Sequence, residues 1–575
     1  MEAVLPRNWP GSVFLLFLLF FSSSYAADVS LTSAPPRHDQ EQWLKKQQDR
    51  LRQQQAPYKV APDIFLQQEL NKREATEAQG EANKRCFTIH HLVFEGITRI
   101  SKKDLGKFKA SYESKCLGLD KIQSVIKAVT SLYIEKGLIT SRAYVKPQNL
   151  ASGTLVITVI EGKVDHLLSV DQHLTSTQLA MAFPTGNDEI LNLRNLEQGL
   201  EQLNRLPMNN ATMELVPGDT EGTSTVSIRN ALQPWWRGSV GLTNKKTDDF
   251  NVMQLDGNLA VDDILGINDS LLFSASTEIG HHDLHAQSNS YSFFGSVPFG
   301  YWLFSLNSSY FDYEQAIRGQ VVNFLSHGSA TVNNLSIANM LYRGQRDKLK
   351  ASGSITRKQT KNYIEDVFLE SSSRVLYIFS LGLDYSRYLD DGGALSLGIK
   401  WDKSLSWWGA TTKVVAAEDA YQFDKYSVAA SFQKPLDTSL GQFDYQLNSM
   451  YLYSHDDIIA SEGVSIGGRY DVRGFNGNSL FGHQGGYVRN EVGHIFPADN
   501  SLVRKVRVYG ALDSGIVRAK NNERSGNKAL AGASIGLQLM GPRLSLDLIY
   551  SKALYKPNSF VAGEHEFYAS ARFNF

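Results

Sequence analysis

The hydrophobic pattern of the chain changes at about residue 235. Beyond this point helical periodicity disappears, and apolar residues alternate with Ser, Gly, Asn, Lys and Asp in segments of about ten residues. The clearest alternation runs over 302–310, 377–385, 395–401 and 544–550. Such segments are typical of a transmembrane β-barrel, and we count about 16 antiparallel strands in residues 232–575. The strand number and the aromatic alternation disfavour the alternative, a soluble β-sandwich.

The connections between these strands alternate in length. Short ones carry turn residues, at Gly300, Asp390–Gly393 and Gly541–Pro542, whereas others are long and polar. An even number of strands places both barrel ends on the periplasmic side. In this register Gly467–Gly486 belongs to the sixth long, extracellular-type loop, which is the longest. The last strand places Phe567, Ala569, Ala571, Phe573 and Phe575 on one face, which suits an aromatic girdle.

Two segments with helical periodicity precede the barrel, at 85–162 and 163–231. In the first, a strand ending at Gly96 is followed by a helix start at Ser101–Asp104 and by a second helix. The apolar residues of that helix recur on one face, and Gly137 marks its end. They are Ile122, Val125, Ile126, Val129 and Tyr133. Both segments predict the order β-α-α-β-β.

The N-terminal residues predict export. Arg7, the apolar run Val13–Phe21 and the sequence Ser24–Ala26 are typical of a signal peptide over 1–26, and the run is too short to span a bilayer. Residues 27–56 contain a polar helical segment, whose few apolar residues are Trp43, Leu44 and Leu51. A helix this polar has to lie in water or in a polar enclosure, and 57–84 is interpreted as a linker.

Charge and cysteine content narrow the function classes. The net charge of -1 and the pI of about 6.9 give no basic field for nucleic acid. In an oxidising compartment the two cysteines, Cys86 and Cys116, favour a disulfide. Two separate thiols are the alternative, and a two-ligand metal site is a weaker one.

Candidate catalytic and metal motifs are present but lie in unsuitable contexts. Ser465 and Ser534 each stand in a G-x-S-x-G sequence, yet a nucleophile elbow requires a strand-to-helix turn of an α/β-hydrolase. The His-rich stretch Gly280–His285 falls in an expected outer loop, where a solvated polar loop is the simpler interpretation. We therefore predict no enzyme activity, no metal and no cofactor.

Several motifs together resemble a known family. Two β-α-α-β-β units before a barrel of about 16 strands resemble two POTRA domains on an Omp85-superfamily barrel. The chain is similar, more narrowly, to the transporters of two-partner secretion. Cys86–Phe87, Cys116 and the stretch Tyr133–Val164 match the family's first POTRA domain. Val472-Arg473-Gly474-Phe475 matches the superfamily's loop motif.

The resemblance implies a role for the loop motif and for the polar helix. The loop would fold into the barrel, where Arg473 would pair with Asp513, or in second place with Glu491; a solvated outer-loop arginine is the alternative. Asp513 matches the family's F-x-D position, although Ala511 replaces the expected aromatic residue. The helix within 27–56 would plug the pore.

The resemblance also implies a function and partners. The chain would recognise a large unfolded exoprotein in the periplasm through its POTRA domains. It would pass this client, a haemolysin, adhesin or contact-dependent inhibition toxin, through the outer membrane of a Gram-negative bacterium without ATP. Outer-membrane lipids and the barrel assembly machinery would be further partners of a monomeric protein. The alternative is an Omp85-type factor that inserts other barrel proteins.

Overall fold

A computed structural model describes residues 86–575 except 248–249, 280–286, 319–322, 413–420, 457, 476–478, 499, 501, 519–526 and 561. The predicted signal peptide, plug helix and linker, with Trp43, Leu44 and Leu51, lie outside the described residues. So does the whole His-rich stretch, Gly280–His285. Within the described part of the chain, no helix combines the length and the apolar character needed to cross a membrane.

The first α+β unit contains five strands and two helices. They are β1 (Cys86–Ile89), β2 (His91–Glu95), α1 (Lys102–Tyr112), β3 (Lys115–Gly118), α2 (Leu119–Glu135), β4 (Arg142–Tyr144) and β5 (Thr154–Ile160). Strands β2-β5-β4 form one sheet, and β1 pairs with β3 in a second. The Ser101 side chain caps α1 by accepting a hydrogen bond from the Asp104 N–H. Four of the five predicted apolar residues of α2 are buried, and Ile126 packs against them.

This unit departs from the predicted order in two places. The first predicted strand is divided at His90, because the Gly153 carbonyl accepts hydrogen bonds from the His90 and His91 N–H groups. The chain thereby leaves the β1–β3 pair, and β2 runs parallel to β5. Strand β3, which the sequence reasoning missed, carries Cys116 opposite Thr88.

The second unit follows its predicted order. It contains β6 (Lys163–Ser169), α3 (Ser176–Ala182), α4 (Leu193–Asn204), β7 (Ala211–Pro217) and β8 (Thr223–Asn230), with sheet order β6-β8-β7. Thr175 and Gln178 form a reciprocal capping box at the start of α3. Leu196, Leu200 and Leu203, predicted on one face of α4, are buried in the core of this unit.

The remainder of the chain forms a closed antiparallel barrel. Its elements are β9 (Trp236–Thr247), β10 (Phe250–Asp262), β11 (Ser270–Ile279), β12 (Gln287–Phe299), β13 (Trp302–Arg318), β14 (Asn323–Arg343), β15 (Asp347–Ile364), β16 (Val367–Phe368), β17 (Arg374–Tyr388), β18 (Ala394–Leu405), β19 (Asp424–Thr438), β20 (Gly441–Ser454), β21 (Val464–Ile466), β22 (Leu480–Gly482), β23 (Gln484–Pro497), β24 (Lys505–Arg518), β25 (Asn527–Met540), β26 (Leu544–Tyr555) and β27 (His565–Asn574).

The barrel wall has 16 strands. Strand β16 is a two-residue extension beside β15, which pairs directly with β17, and β21 and β22 form a separate hairpin. Strand β27 closes the wall on β9. Apolar side chains such as Trp302, Phe304 and Phe567 are exposed on the outer face, where a membrane would cover them. The predicted class, a membrane barrel of about 16 strands, is confirmed.

The second unit contacts one end of the barrel, which we call the proximal end. The Gly300 carbonyl, in the turn between β12 and β13, accepts hydrogen bonds from Gln198 and Gln202 on α4, each 3.1 Å long. Arg343, at the end of β14, forms an ion pair of 2.5 Å with Glu201. The predicted short turns at Gly300 and Gly541–Pro542 lie at this end, and the longest connection, between β20 and β23, lies at the other, distal end, as the sequence predicts.

Candidate functional site: loop 6 in the barrel lumen

The connection between β20 and β23, residues 455–483, is the longest between neighbouring wall strands, and we call it loop 6. It includes a short 3-10 turn at Ala460–Glu462 and the hairpin of β21 and β22. The last glycines of the predicted loop, Gly485 and Gly486, belong instead to wall strand β23. Loop 6 turns inward, so that its apolar residues join a buried cluster with residues of the wall.

Arg473 has no solvent-exposed surface, although it lies in a loop at the distal end. Its Nε donates to Asp513 Oδ2 over 2.5 Å, and its Nη2 donates to Asp513 Oδ1 over 2.7 Å. Nη1 donates to Glu491 Oε1 over 2.8 Å, and the Arg473 backbone N–H also donates to Asp513. A bidentate carboxylate contact of this kind uses the planar guanidinium fork, which lysine lacks. The structure thus brings together the three residues that the sequence reasoning grouped.

Further charges continue this contact along the inner wall. Arg507 Nε lies 2.9 Å from Asp444 Oδ1, and its Nη1 lies 3.1 Å from Glu491 Oε2. Arg489 adds a contact of 3.2 Å to Glu491. These three carboxylates and three arginines, which we call the lumen charge network, balance in formal charge. They are Asp444, Glu491, Asp513, Arg473, Arg489 and Arg507. Such compensation is required where ions lie out of bulk water.

Aromatic side chains enclose the network. The ring centroid of Tyr509 lies 5.8 Å from the Arg473 guanidinium carbon and 4.6 Å from that of Arg507. Tyr509 packs with Ala511, Ile549 and Tyr568. The aromatic ring that the resemblance leads us to expect at Ala511 is thus replaced by a ring two residues earlier on the same inward face.

The residues flanking Arg473 explain how the loop approaches the wall. Gly474 adopts φ 102°, which favours glycine, and its N–H donates to the Tyr568 hydroxyl over 3.3 Å. A Cβ at Gly474 would lie 3.0 Å from the Ala553 nitrogen of the wall. Val472 and Phe475 are fully buried on either side. The four-residue motif therefore brings the backbone of loop 6 close to the wall strands.

A second buried ion cluster holds the start of loop 6. Glu462 is 1% exposed, and its two carboxylate oxygens each lie 2.6 Å from an ammonium group, one of Lys358 and one of Lys425. Burial alone would raise the pKa of Glu462, but the two lysines outweigh it and lower the pKa below its usual range. The sequence reasoning missed this cluster.

Loop 6 is also attached near the closing strand. Arg469 lies four residues before Arg473 and was also missed by the sequence reasoning. Its Nη2 donates to Asp547 Oδ2 on β26 and to Ser570 Oγ on β27, each over 2.8 Å. Contacts of loop 6 are thus distributed over β15, β19, β23, β24, β26 and β27.

The other predicted residues lie away from this site. Cys86 and Cys116 form a disulfide in the first unit. Ser534 faces the lumen, and its hydroxyl lies 2.8 Å from the Ser551 hydroxyl. Ser465 lies in the β21 hairpin. Among the described residues, one group has the spacing of metal ligands, on the surface of the second unit, and the sequence reasoning did not identify it. It contains Asp165, His166 and Asp219.

Comparison with known proteins relates this architecture to a family. The profile of the haemolysin secretion/activation proteins ShlB/FhaC/HecB matches residues 222–539. The ShlB-type POTRA profile matches 87–162, and a further POTRA profile matches 163–217.

Similar proteins and structures agree. The outer membrane transporter CdiB of Escherichia coli is 32% identical over 96% of this chain and 91% of its own length. The hemolysin transporter protein ShlB of Serratia marcescens is 28% identical over 81% of this chain and 82% of its own. The solved structure of CdiB from Escherichia coli covers 95% of this chain and 100% of its own with a TM-score of 0.83 at 28% identity. The chain therefore belongs to the ShlB/FhaC/HecB family, the outer-membrane transporters of two-partner secretion in Gram-negative bacteria, with its POTRA domains in the periplasm.

Proposed function

We propose that this transporter passes one large exoprotein, unfolded, from the periplasm through its barrel lumen to the cell surface. It does so without ATP and without catalysing a covalent reaction. The observation that carries this proposal is the fully buried Arg473, which loop 6 places inside the barrel lumen against Asp513 and Glu491. The client is of the haemolysin, adhesin or contact-dependent inhibition toxin class, a class that the names of the similar proteins support.

The division of the chain follows from this role. Residues 1–26 are the signal peptide, 27–56 carry the plug helix, 57–84 are the linker, and 85–162 and 163–231 are the two POTRA domains ahead of the barrel at 232–575. A polar helix is suited to a hydrated lumen, which an apolar helix would not favour. The barrel functions as a monomer, inserted among outer-membrane lipids by the barrel assembly machinery.

Client recognition uses sheet edges of the POTRA domains. In the second unit the central strand is β8, so β6 and β7 are the edges of the sheet. An unfolded chain adds to such an edge through main-chain hydrogen bonds, while its side chains are selected only loosely. This mode suits a long client of varied sequence and needs no chemical step.

The lumen charge network gives loop 6 one defined position. Removing Arg473 would leave the Asp513 side chain, which is 0% exposed, without its main partner. Breaking a buried pair in this way costs about 3–5 kcal/mol. The protein can bury this network because the ions compensate one another. Client binding can shift the loop or the plug only by favouring the open state.

Secretion by variants of Arg473 tests the proposal. Arg473→Ala should abolish secretion of the client, and Arg473→Lys should restore it only in part because lysine cannot form the bidentate contact. The control is Arg387→Ala, which removes an arginine whose side chain is 52% exposed. Each variant must first show the heat-modifiable migration of an inserted barrel. Normal secretion by inserted Arg473→Ala would refute the role of the lock.

A deletion strain separates this function from assembly of other barrels. Loss of the transporter should stop secretion of a single large exoprotein and leave the amounts of other outer-membrane barrels unchanged. A general fall in barrel proteins would instead identify the chain as an assembly factor.

A further inference from the structure

The seam between the first and last strands is paired over only part of its height. Strand β27 pairs with β9 through five residues, Ser570–Asn574, whereas it pairs with β26 over nine, His565–Phe573. The distal half of β27 therefore lacks a backbone ladder on its seam side. Because an unpaired strand edge inside a barrel wall leaves polar groups without partners, other groups have to hold it.

A side chain replaces the ladder where it ends. The Asn244 carboxamide on β9 donates to the Phe567 carbonyl over 2.7 Å and accepts from the Ala569 N–H over 2.6 Å. A single rotatable side chain thus forms the contacts that the backbone makes elsewhere in the wall. This link is weaker support than a continuous ladder, since it depends on the position of one amide.

Loop 6 holds the same part of β27 from inside the barrel. Arg469 donates to Ser570 Oγ over 2.8 Å and contacts the Ala569 carbonyl at 3.4 Å. It also pairs with Asp547 on β26, the register partner of Ser570. The Tyr568 hydroxyl accepts from the Gly474 N–H. Three consecutive residues of β27, Tyr568, Ala569 and Ser570, therefore contact loop 6. They lie where the backbone pairing between β27 and β9 ends.

We propose that Arg469 is a positioning residue that holds the closing strand β27 to loop 6, so that displacement of loop 6 from the lumen also loosens the β27–β9 seam. Arg473 contacts β23 and β24, whereas Arg469 contacts β26 and β27, so the two arginines hold loop 6 to different parts of the wall. Arg473 fixes the loop to the wall, and Arg469 makes the seam depend on the loop. This inference rests on the proposed function only for its consequence in secretion.

Arg469 is largely buried and its guanidinium is used in contacts within the protein. Its side chain is 12% exposed, and the guanidinium reaches two strands at once: Nη2 donates to Asp547 and Ser570, and Nη1 donates to the Ala569 carbonyl. Hydrogen bonds to a charged group are stronger than neutral ones, and the planar guanidinium presents these donors in a fixed geometry that a lysine ammonium lacks. The bridge joins β26 and β27 across their register pair and adds loop 6 as a third member.

Hydrogen–deuterium exchange on the full-length protein in lipid nanodiscs tests the inference without any client. Arg469→Ala should accelerate exchange in peptides covering 565–574 by about tenfold, the effect of losing one charged hydrogen-bond set. Arg469→Lys should give a smaller increase, and peptides covering β25 should not change. A second substitution displaces loop 6 in another way. Gly532 lies on β25, where a Cβ would overlap the Arg473 carbonyl oxygen. Gly532→Ala should therefore accelerate exchange in β27 as well.

The control is Arg387→Ala. Arg387 lies on β17, pairs with Asp347 on β15 at 3.7 Å and has a side chain that is 52% exposed, so its loss removes an arginine contact between two other wall strands. This substitution should leave exchange in β27 at the wild-type rate. The inference is overturned if β27 exchange is unchanged in Arg469→Ala, or if it rises equally in Arg387→Ala. Since exchange needs no secretion, either result stands independently of whether the transport proposal holds.

Discussion

A single methyl group on the barrel wall should displace loop 6 without removing any charge. Gly532 lies on β25 opposite Asp513 of β24, directly beneath the loop. A Cβ at this position would overlap the Arg473 carbonyl oxygen, a backbone atom that cannot rotate away. Gly532→Ala should therefore force the Val472–Phe475 motif away from the wall while the wall strand itself tolerates alanine.

The size of the effect follows from the cost of overpacking. Inserting a methylene into a well-packed region costs about 1–3 kcal/mol. This raises the population of displaced loop by about 5- to 150-fold. Arg473 is a trypsin site that is fully buried when the loop is docked. When opening is fast relative to cleavage, proteolysis follows the displaced population, so cleavage after Arg473 should accelerate by a similar factor.

Trypsin added to proteoliposomes, with the fragment ending at Arg473 measured by mass spectrometry, gives the rate. Gly510→Ala is the control, because Gly510 lies on neighbouring β24 and a Cβ there would meet nothing within 4 Å. Both variants must migrate as heat-modifiable barrels. If cleavage after Arg473 in Gly532→Ala is as slow as in Gly510→Ala and wild type, the close approach of loop 6 to the wall is refuted.

Three further predictions concern other parts of the molecule. Replacing Cys86 and Cys116 by alanine should lower the unfolding free energy of the first POTRA domain by about 3 kcal/mol, measured by urea denaturation of the full chain in detergent, and unchanged stability would contradict it. Glu462→Gln should increase proteolysis of loop 6 at pH 7. Because the pKa of Glu462 is lowered, the wild-type contribution is present above the ordinary carboxyl pKa and is lost only as pH falls through the lowered value. Wild-type loop 6 should thus remain protected at mildly acidic pH, whereas early loss of protection would contradict the ion cluster. Deleting residues 39–55 should raise ion conductance in planar bilayers, and unchanged conductance would argue against a plug.

The parts of this fold that depend on local periodicity could be predicted from the sequence. Alternation along β24 fixes Leu512 outward and Asp513 inward, because neighbouring side chains of a strand point to opposite faces. The same reasoning identifies the amphipathic helices of both POTRA domains. The inward position of loop 6 came from the resemblance, since a solvated loop was the simpler interpretation of glycine-rich sequence alone.

Contacts created by barrel closure could not be predicted in this way. Lys358 and Glu462 are more than 100 residues apart in sequence, and only the curvature of the wall brings them together. The same is true of Arg469 and Ser570, which meet because the last strand closes on the first. The division of the first strand at His90 depends on a carbonyl of Gly153, which no local pattern reveals.

The central claim, that the client passes through the lumen, can be tested by placing a photo-crosslinking amino acid at two adjacent positions of β10. Gln254 is 7% exposed and lines, together with Arg469, a cavity of about 330 Å³, whereas Met253 is 41% exposed on the outer face. In cells that are secreting the client, illumination should crosslink it to position 254 and not to position 253. Equal crosslinking from both positions, or crosslinking from 253 alone, would contradict transport through the barrel.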